Sequence, residues 1–194
     1  MRAIMSVAMQ TYRPIQHIVV ADGPNPELER LLRCISRDHP ATGYEFVFEC
    51  LPEHGMGGRW GHTARMRGID LAKGEYIAYL DDDDAYWPEH VANLAQLLDD
   101  DPEIGFAHAS LWMHDQGGDA GGWVCAAPTP CFGRITTSAI MHRRELLDVA
   151  TWRDDGVQET VDWDLISRWV DSGVRSAFSE QVSAHGYREF GGSR

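Results

Sequence analysis

One stretch constrains this chain more than any other: residues 74–88, read G-E-Y-I-A-Y-L-D-D-D-D-A-Y-W-P. Tyr76 to Leu80 is a run of aromatic and aliphatic residues that fits a strand buried on both faces, and it stops in four successive carboxylates. Like charges this close repel one another, so at the end of a buried strand they are tolerated where a cation or a donor-rich ligand sits on them. Hard oxygen donors suit Mg²⁺ or Mn²⁺, which bridge to substrate phosphates. The carboxyl end of a strand is also where open α/β sheets bind ligands. An isolated acidic run is usually a solvated turn; the apolar strand before this one and Trp87-Pro88 after it favour a site instead.

With 194 residues, 43% of them hydrophobic and seven of them Trp, the chain can bury a sizeable core and reads as a single domain over 1–194. Its formal net charge of −13 argues against nucleic acid or an anionic membrane as the main partner, because both require basic patches. A phosphorylated substrate would then be held through metal and local donors. Cys34, Cys50, Cys125 and Cys131 show neither C-x-x-C pairing nor zinc-ligand spacing with histidine, which reads as reduced thiols in a cytoplasmic protein. No stretch reaches the ~18 to 20 apolar residues that span a bilayer.

Ile4, Val7 and Ala8 fall at helical spacing, and Pro14 stops that opening helix. Gln16 to Ala21 reads as a strand ending in Asp22-Gly23-Pro24, and Asn25 caps a helix with the stripe Leu28, Leu31, Leu32 and Ile35. Tyr44 to Cys50 is a second strand. Pro52 to Gly61 is a Gly-rich loop without the G-K-[ST] ending of a nucleotide-hydrolase phosphate loop. A helix over 62–73 with Gly74 as its C-cap leads into the strand ending at Leu80. Pro88 opens a helix bearing Val91, Leu94, Leu97 and Leu98; Ile104 to Leu111 is the next strand. The Gly- and Pro-rich residues 115–133 read as a flexible loop, followed by a strand over 135–141 and a helix near 145–149. A helix carrying Leu165, Ile166, Trp169 and Val170 and a strand over 174–178 complete an α/β layer structure with a mainly parallel central sheet flanked by helices.

Five pieces, in this order and spacing, resemble the family 2 glycosyltransferases: S-V-A-M-Q-T-Y-R-P, I-V-V-A-D-G, A-R-M-R-G-I-D-L-A-K-G-E-Y-I-A-Y-L-D-D-D-D-A-Y-W-P, S-A-I-M-H-R-R-E-L and V-D-W-D-L-I-S-R-W-V-D-S-G. The resemblance implies the A-type (GT-A, Rossmann-like) fold and a metal-dependent, inverting transfer of sugar from a nucleoside-diphosphate donor, a UDP-sugar first, to an acceptor hydroxyl. It places Asp22 on the base, Asp81 and Asp82 on the ribose and diphosphate with Arg59 or Arg65 beside them, and Asp83 on Mn²⁺ or Mg²⁺ together with Asp81 and His185. Asp162, at the head of the late helix, falls where the family has its catalytic base. Asp164, two residues on, faces elsewhere and reads as a capping or solvated group. His142 reads as closing a strand, and Tyr79 and Trp87 as packing. The chain departs from the family pattern at Ala21, Met66 and Val161. In the family a strand precedes the first helix and lies beside the one ending at Leu80. Met1 falls within that helix, so the expectation is an open central slot, filled by residues upstream, or by another segment or chain.

A haloacid-dehalogenase-type phosphatase requires D-x-D-x-[TV], and Ala85 stands in the last place. A nucleotidyltransferase would carry an early Gly-rich fingerprint that is absent here. The non-enzymatic rival is a degenerate domain that binds nucleotide sugar without turnover.

Overall fold

The computed structural model describes residues 1–38, 43–56, 61–114, 121–153 and 160–187, with 33–38 as backbone only. The chain opens with helix α1 (Arg2–Ala8), strand β1 (Ile15–Ala21), helix α2 (Pro26–Asp38) and strand β2 (Tyr44–Cys50). The side chain of Asn25 accepts a hydrogen bond from Leu28 N at 2.9 Å, which starts α2 as the sequence suggested. Next come α3 (His62–Leu71), β3 (Tyr76–Ala78), β4 (Ala85–Tyr86) and α4 (His90–Asp100). They are followed by β5 (Ile104–His114), β6 (Gly122–Cys125), β7 (Ile140–Arg143), α5 (Val161–Asp171) and β8 (Arg175–Tyr187).

The core lies where α4 and α5 press on β5 and β7. Leu94, Leu98, Phe106, Ile140, Ile166 and Trp169 have no exposed surface, and each such side chain contributes about 1.5–3 kcal/mol on burial. Apart from Ile140 in β7, these are the i, i+3, i+4 positions of the two helices and a residue of β5, so this part of the core follows from the sequence periodicity.

Among the described residues the strands form two sheets, β1-β2 and β3-β7-β5-β8-β4, with β6 added to β5. The α/β class is as expected, and β3, β5 and β8 all run in one direction. The pairing is more mixed than the sequence suggested, because β7 inserts antiparallel between β3 and β5 and β4 lies antiparallel on β8. A 3-10 turn (Thr137–Ala139), not a crossover helix, leads into β7, so the chain returns against its neighbours. On its other side β3 has no strand partner among the described residues, nor does β1 beyond β2. That open edge leaves Ala78 exposed, against the expectation of a strand buried on both faces.

Helix α3 ties the two sheets together. A Cβ on Gly68 would touch Val20 at 3.9 Å, Lys73 N donates to Gln16 Oε1 at 2.8 Å, and from the same helix Arg65 reaches the turn after β3. Several boundaries differ from expectation. Helix α3 stops at Leu71 with Ala72 extended as its cap, so Gly74 lies beyond it. Helix α4 starts at His90 because the Pro88 carbonyl is occupied by Thr11 N. Residues 144–148 form a 3-10 turn, β8 continues nine residues past Phe178 to Tyr187, and the expected loop 115–133 contains β6, while 115–120 lie outside the described residues. Among the described residues no helix is long and apolar enough to cross a membrane.

Candidate functional site

The four acids form a closed turn: Asp84 N donates to the Asp81 carbonyl at 3.1 Å. Each carboxylate then meets a different environment. Asp81 Oδ1 pairs with Arg65 Nη2 at 2.7 Å, and its backbone N donates to Ser138 Oγ at 3.1 Å. Asp82 is exposed, and the carbonyl of half-buried Asp83 accepts from Arg2 Nη2 at 2.6 Å. Asp84 is buried and its Oδ1 accepts from Tyr187 N at 3.0 Å. Burial raises its carboxyl from 3.8 to about 6; the hydrogen bonds from Ser138 and Tyr187 oppose that shift, and the charges of Asp81 and Asp83 add to it.

Directly after the turn, β4 pairs with β8 so that Ala85 lies opposite His185. The long β8 thereby brings a histidine from near the C-terminus to the acidic turn. His185 Nδ1 is 2.8 Å from His114 Nε2, and burial first, then His114 and Arg2, hold its imidazole below the usual value. Its ring lies 5.5 Å from that of Trp87. Tyr187 stacks on His114 at 4.3 Å and carries the Arg2 guanidinium 3.5 Å above its ring.

A second wall is built around buried Trp152. The Arg65 guanidinium lies 4.8 Å over its ring, Tyr79 meets it edge-on at 5.1 Å, and His62 Nε2 is 3.2 Å from its carbonyl. Next to it, the Thr151 carbonyl accepts from Arg168 Nη2 at 2.6 Å. Arg168 and Arg153 both grip Asp164, at 2.8 and 2.6 Å, which makes Asp164 a structural anchor of α5 and lowers its pKa below the usual carboxylate value despite burial. Residues 151–153 therefore join the Arg65–Asp81 pair to the head of α5. There Asp162, half-buried, accepts from Trp163 N at 2.8 Å.

Asp22 follows β1 and is exposed; its Oδ2 accepts from Gly55 N at 3.1 Å, and His54 Nδ1 lies 2.7 Å from its carbonyl. The turn needs glycine next, since Gly23 has φ 98° and a Cβ there would sit 2.6 Å from His54 N. Arg59 lies outside the described residues. His142 is fully buried, donates from Nδ1 to the Arg143 carbonyl and accepts at Nε2 from Tyr79 Oη, 2.8 Å away, so it belongs to the core. Arg65 meets Asp81, and His185 is set beside the acidic turn, but among the described residues no three His, Cys, Asp or Glu side chains converge as a cation cage. Sequence reasoning missed Ser138, Trp152 and Tyr187. Ser138 lies inside a matched piece, S-A-I-M, yet no spacing marks its hydroxyl, and Trp152 and Tyr187 carry no local signal.

The family described as Glycosyl transferase family 2 matches residues 1–116, more than half of the chain. The chain belongs to that family. It is 27% identical over 100 residues to the glucosyl-dolichyl phosphate glucuronosyltransferase of Haloferax volcanii, covering 52% of this chain and 29% of that protein. It is 25% identical over 113 residues to the Escherichia coli K12 glycosyltransferase YibD, covering 58% and 30%. This family 2 chain thus spans less than a third of the curated relatives it matches. Among solved structures, Staphylococcus aureus TarS 1-349 in complex with UDP-GlcNAc superposes with TM-score 0.73 at 14% identity, over 97% of this chain and 54% of that one. The mannosyltransferase PcManGT of Pyrobaculum calidifontis, in complex with GDP-Man and Mn²⁺, superposes with TM-score 0.67 at 16% identity, over 98% and 52%. The fold is that of the A-type glycosyltransferases.

Proposed function

We propose that this chain is the sugar-transferring domain of a glycosyltransferase that uses a nucleoside-diphosphate sugar and inverts the transferred centre. The observation that carries the reading is the closed acidic turn at the end of β3, with Arg65 seated on Asp81 at 2.7 Å. In this reading Asp22 takes the base, and Asp81, Asp82, Arg65 and Arg59 take the ribose and diphosphate. Mg²⁺ and Mn²⁺ commonly use one or two protein carboxylates and complete their shell with water and phosphates. The residues of the turn fit such an ion without a protein cage: Asp83 would be its first ligand with Asp81 beside it, and His185 stands across β4. When bound, the ion neutralises charge on the departing diphosphate.

Asp162 is the general base. Its carboxylate takes the proton of the acceptor hydroxyl as that oxygen forms its bond to the anomeric carbon. The bond from that carbon to the diphosphate oxygen breaks on the opposite face, which inverts the centre. Arg65 offers a fixed guanidinium to the diphosphate, a bidentate task that lysine would perform poorly. TarS was solved with UDP-GlcNAc and PcManGT with GDP-Man, so both uracil and guanine donors enter the test.

The experiment is calorimetric titration of UDP and GDP with Mn²⁺, Mg²⁺ or excess chelator, on the parent and on Asp83→Ala. The expected result is binding of one nucleotide that needs both metal and Asp83; equal affinity under chelation, or in the variant, removes the metal from the reading. A binding domain without turnover is favoured by one observation, that β3 on one side and β1 beyond β2 have no strand partner among the described residues. Release of nucleoside diphosphate from a panel of sugar nucleotides with acceptors separates the two.

A further inference from the structure

The fourth acid of the turn behaves unlike the other three. Asp82 is exposed and Asp81 and Asp83 are half-buried, whereas Asp84 is 7% exposed and turned inward. A carboxylate in that position is tolerated only when donors meet it, and two do. Tyr187 N donates to Oδ1 at 3.0 Å, and the Ser138 hydroxyl hydrogen-bonds to the same carboxylate. Ser138 also works in the other direction, its Oγ accepting from Asp81 N at 3.1 Å. One hydroxyl therefore touches the first and last residues of the turn, and one carboxylate joins the turn to β8. The glycine before Tyr187 permits the approach: a Cβ on Gly186 would collide with Met113 and stand 3.6 Å from Asp84 Oδ1.

We propose that Asp84, with Ser138, is a positioning latch that fastens the end of β8 to the acidic turn, and not itself a ligand of metal or nucleotide. Turning one of four adjacent carboxylates inward also removes it from the mutual repulsion at the mouth of the turn. With the turn closed by Asp84 N on the Asp81 carbonyl and β4 paired to β8, the latch fixes the directions in which Asp81, Asp83 and His185 present their donors. The latch's bearing on metal rests on the function proposed above; the tie between Asp84 and β8 does not.

The conservative variant separates a latch from a ligand. In Asp84→Asn the amide oxygen still accepts from Tyr187 N and the amide nitrogen donates to Ser138 Oγ, so the latch holds, while a metal ligand would be lost. Two readouts are taken on the parent, Asp84→Asn, Asp84→Ala and Ser138→Ala. The first needs no ligand: hydrogen exchange at the Tyr187 amide should quicken about tenfold or more in Asp84→Ala, as expected for loss of a buried charge-assisted hydrogen bond, and stay within about threefold of the parent in Asp84→Asn. The second is Mn²⁺-supported binding of UDP and GDP, expected to weaken about tenfold in Asp84→Ala, less in Ser138→Ala, and about threefold or less in Asp84→Asn. If Asp84→Asn loses metal-dependent binding as fully as Asp84→Ala while Tyr187 exchange stays parental, Asp84 is a ligand and the latch is wrong. Parental exchange in both Asp84→Ala and Ser138→Ala also overturns it. If the parent binds neither nucleotide with Mn²⁺, the proposed function fails, and the exchange data alone decide for or against the tie to β8. Should Asp84→Ala not fold, Ser138→Ala, which removes one hydroxyl, carries both measurements.

Discussion

Acid should unfold this protein well above the pH at which its carboxylates titrate. His17, His90, His108 and His142 are buried, and burial pushes their imidazoles from 6.5 down to about 4, 3, 4 and 4. The unfolded chain binds these protons more tightly than the folded one. Their contribution to stability is therefore complete above about pH 6.5 and is lost progressively as the pH falls toward the folded values. At pH 5.5, one unit below the unfolded value, each imidazole costs about 1.4 kcal/mol, and the four together about 5 to 6 kcal/mol. Asp84 acts in the opposite sense: its carboxyl, raised from 3.8 to about 6, takes its proton first in the folded state and returns about 1 kcal/mol at that pH. His185, also lowered, adds to the loss, while Glu45, Glu49 and Asp164, all lowered, matter only nearer pH 4. The net loss of about 4 to 5 kcal/mol is comparable with the whole stability of a marginal domain. Urea unfolding followed by tryptophan fluorescence at pH 7.5, 6.5 and 5.5 measures it, with an expected slope near pH 5.5 of about three protons taken up on unfolding. His108 provides the attribution, since its Nε2 has no hydrogen-bond partner and its ring lies 6.0 Å from Phe106 and 5.0 Å from Phe178. His108→Phe should remove about one proton from that slope. A stability flat from pH 7.5 to 5.5, or an unchanged slope in His108→Phe, refutes the reasoning.

Asp162→Asn should leave Mn²⁺-supported nucleotide binding near parental while cutting transfer ~10²-fold or more; transfer at the parental rate moves the base elsewhere. Asp164→Ala, by stranding Arg153 and Arg168, should lower unfolding free energy by about 2 kcal/mol, read from the urea midpoint, and no change would make the pair a surface ornament. Gly23→Ala forces a side chain into a φ of 98° against His54 and should cost about 1–3 kcal/mol, with weaker nucleotide binding because Asp22 precedes it. Leu94→Ala empties a fully buried position under β5 and should cost about 2–5 kcal/mol; a loss under 1 kcal/mol would place α4 off the core.

Elements with a strong period were legible in the sequence. The apolar stripes of α4 and α5 predicted their class and the burial of Leu94, Leu98, Leu165, Ile166 and Trp169, though Val170 is exposed, and the run of β5 predicted a strand, because helix and strand periods are local properties. The acidic turn was legible for the same reason, four carboxylates against an apolar run being a contradiction visible within fifteen residues. Asp164 reads from its place on the helix as a capping or solvated group turned away from Asp162, whereas in the structure its side chain is 12% exposed and anchored by Arg153 and Arg168. The weaker signals failed where tertiary contacts overrode them. Gly74 invited a helix cap, yet Ala72 turned extended first. Beta-branched and apolar residues over 135–141 suggested a strand, yet Thr137–Ala139 coil tightly so that Ser138 faces the turn. Two-residue β4 has no period to read at all.

What joins these pieces is strand register, which no local pattern encodes. Side chains alternate faces along a strand, so slipping β8 by one residue against β4 would set Ala184 or Gly186 opposite Ala85 and turn His185 to the other face. It would also carry Tyr187 N away from Asp84 Oδ1. That register is set on the far side of β8, where its pairing with β5 shifts between Ala109 and Ser110 and again between Ser110 and Leu111. Such irregularities bend a strand and re-aim the residues beyond them. In β8 those residues are Ala184 to Tyr187, the segment that presents His185 beside the acids and closes on Asp84. The position of His185 therefore depends on two irregular steps in the middle of the sheet, far along the chain from the carboxylates it lies beside.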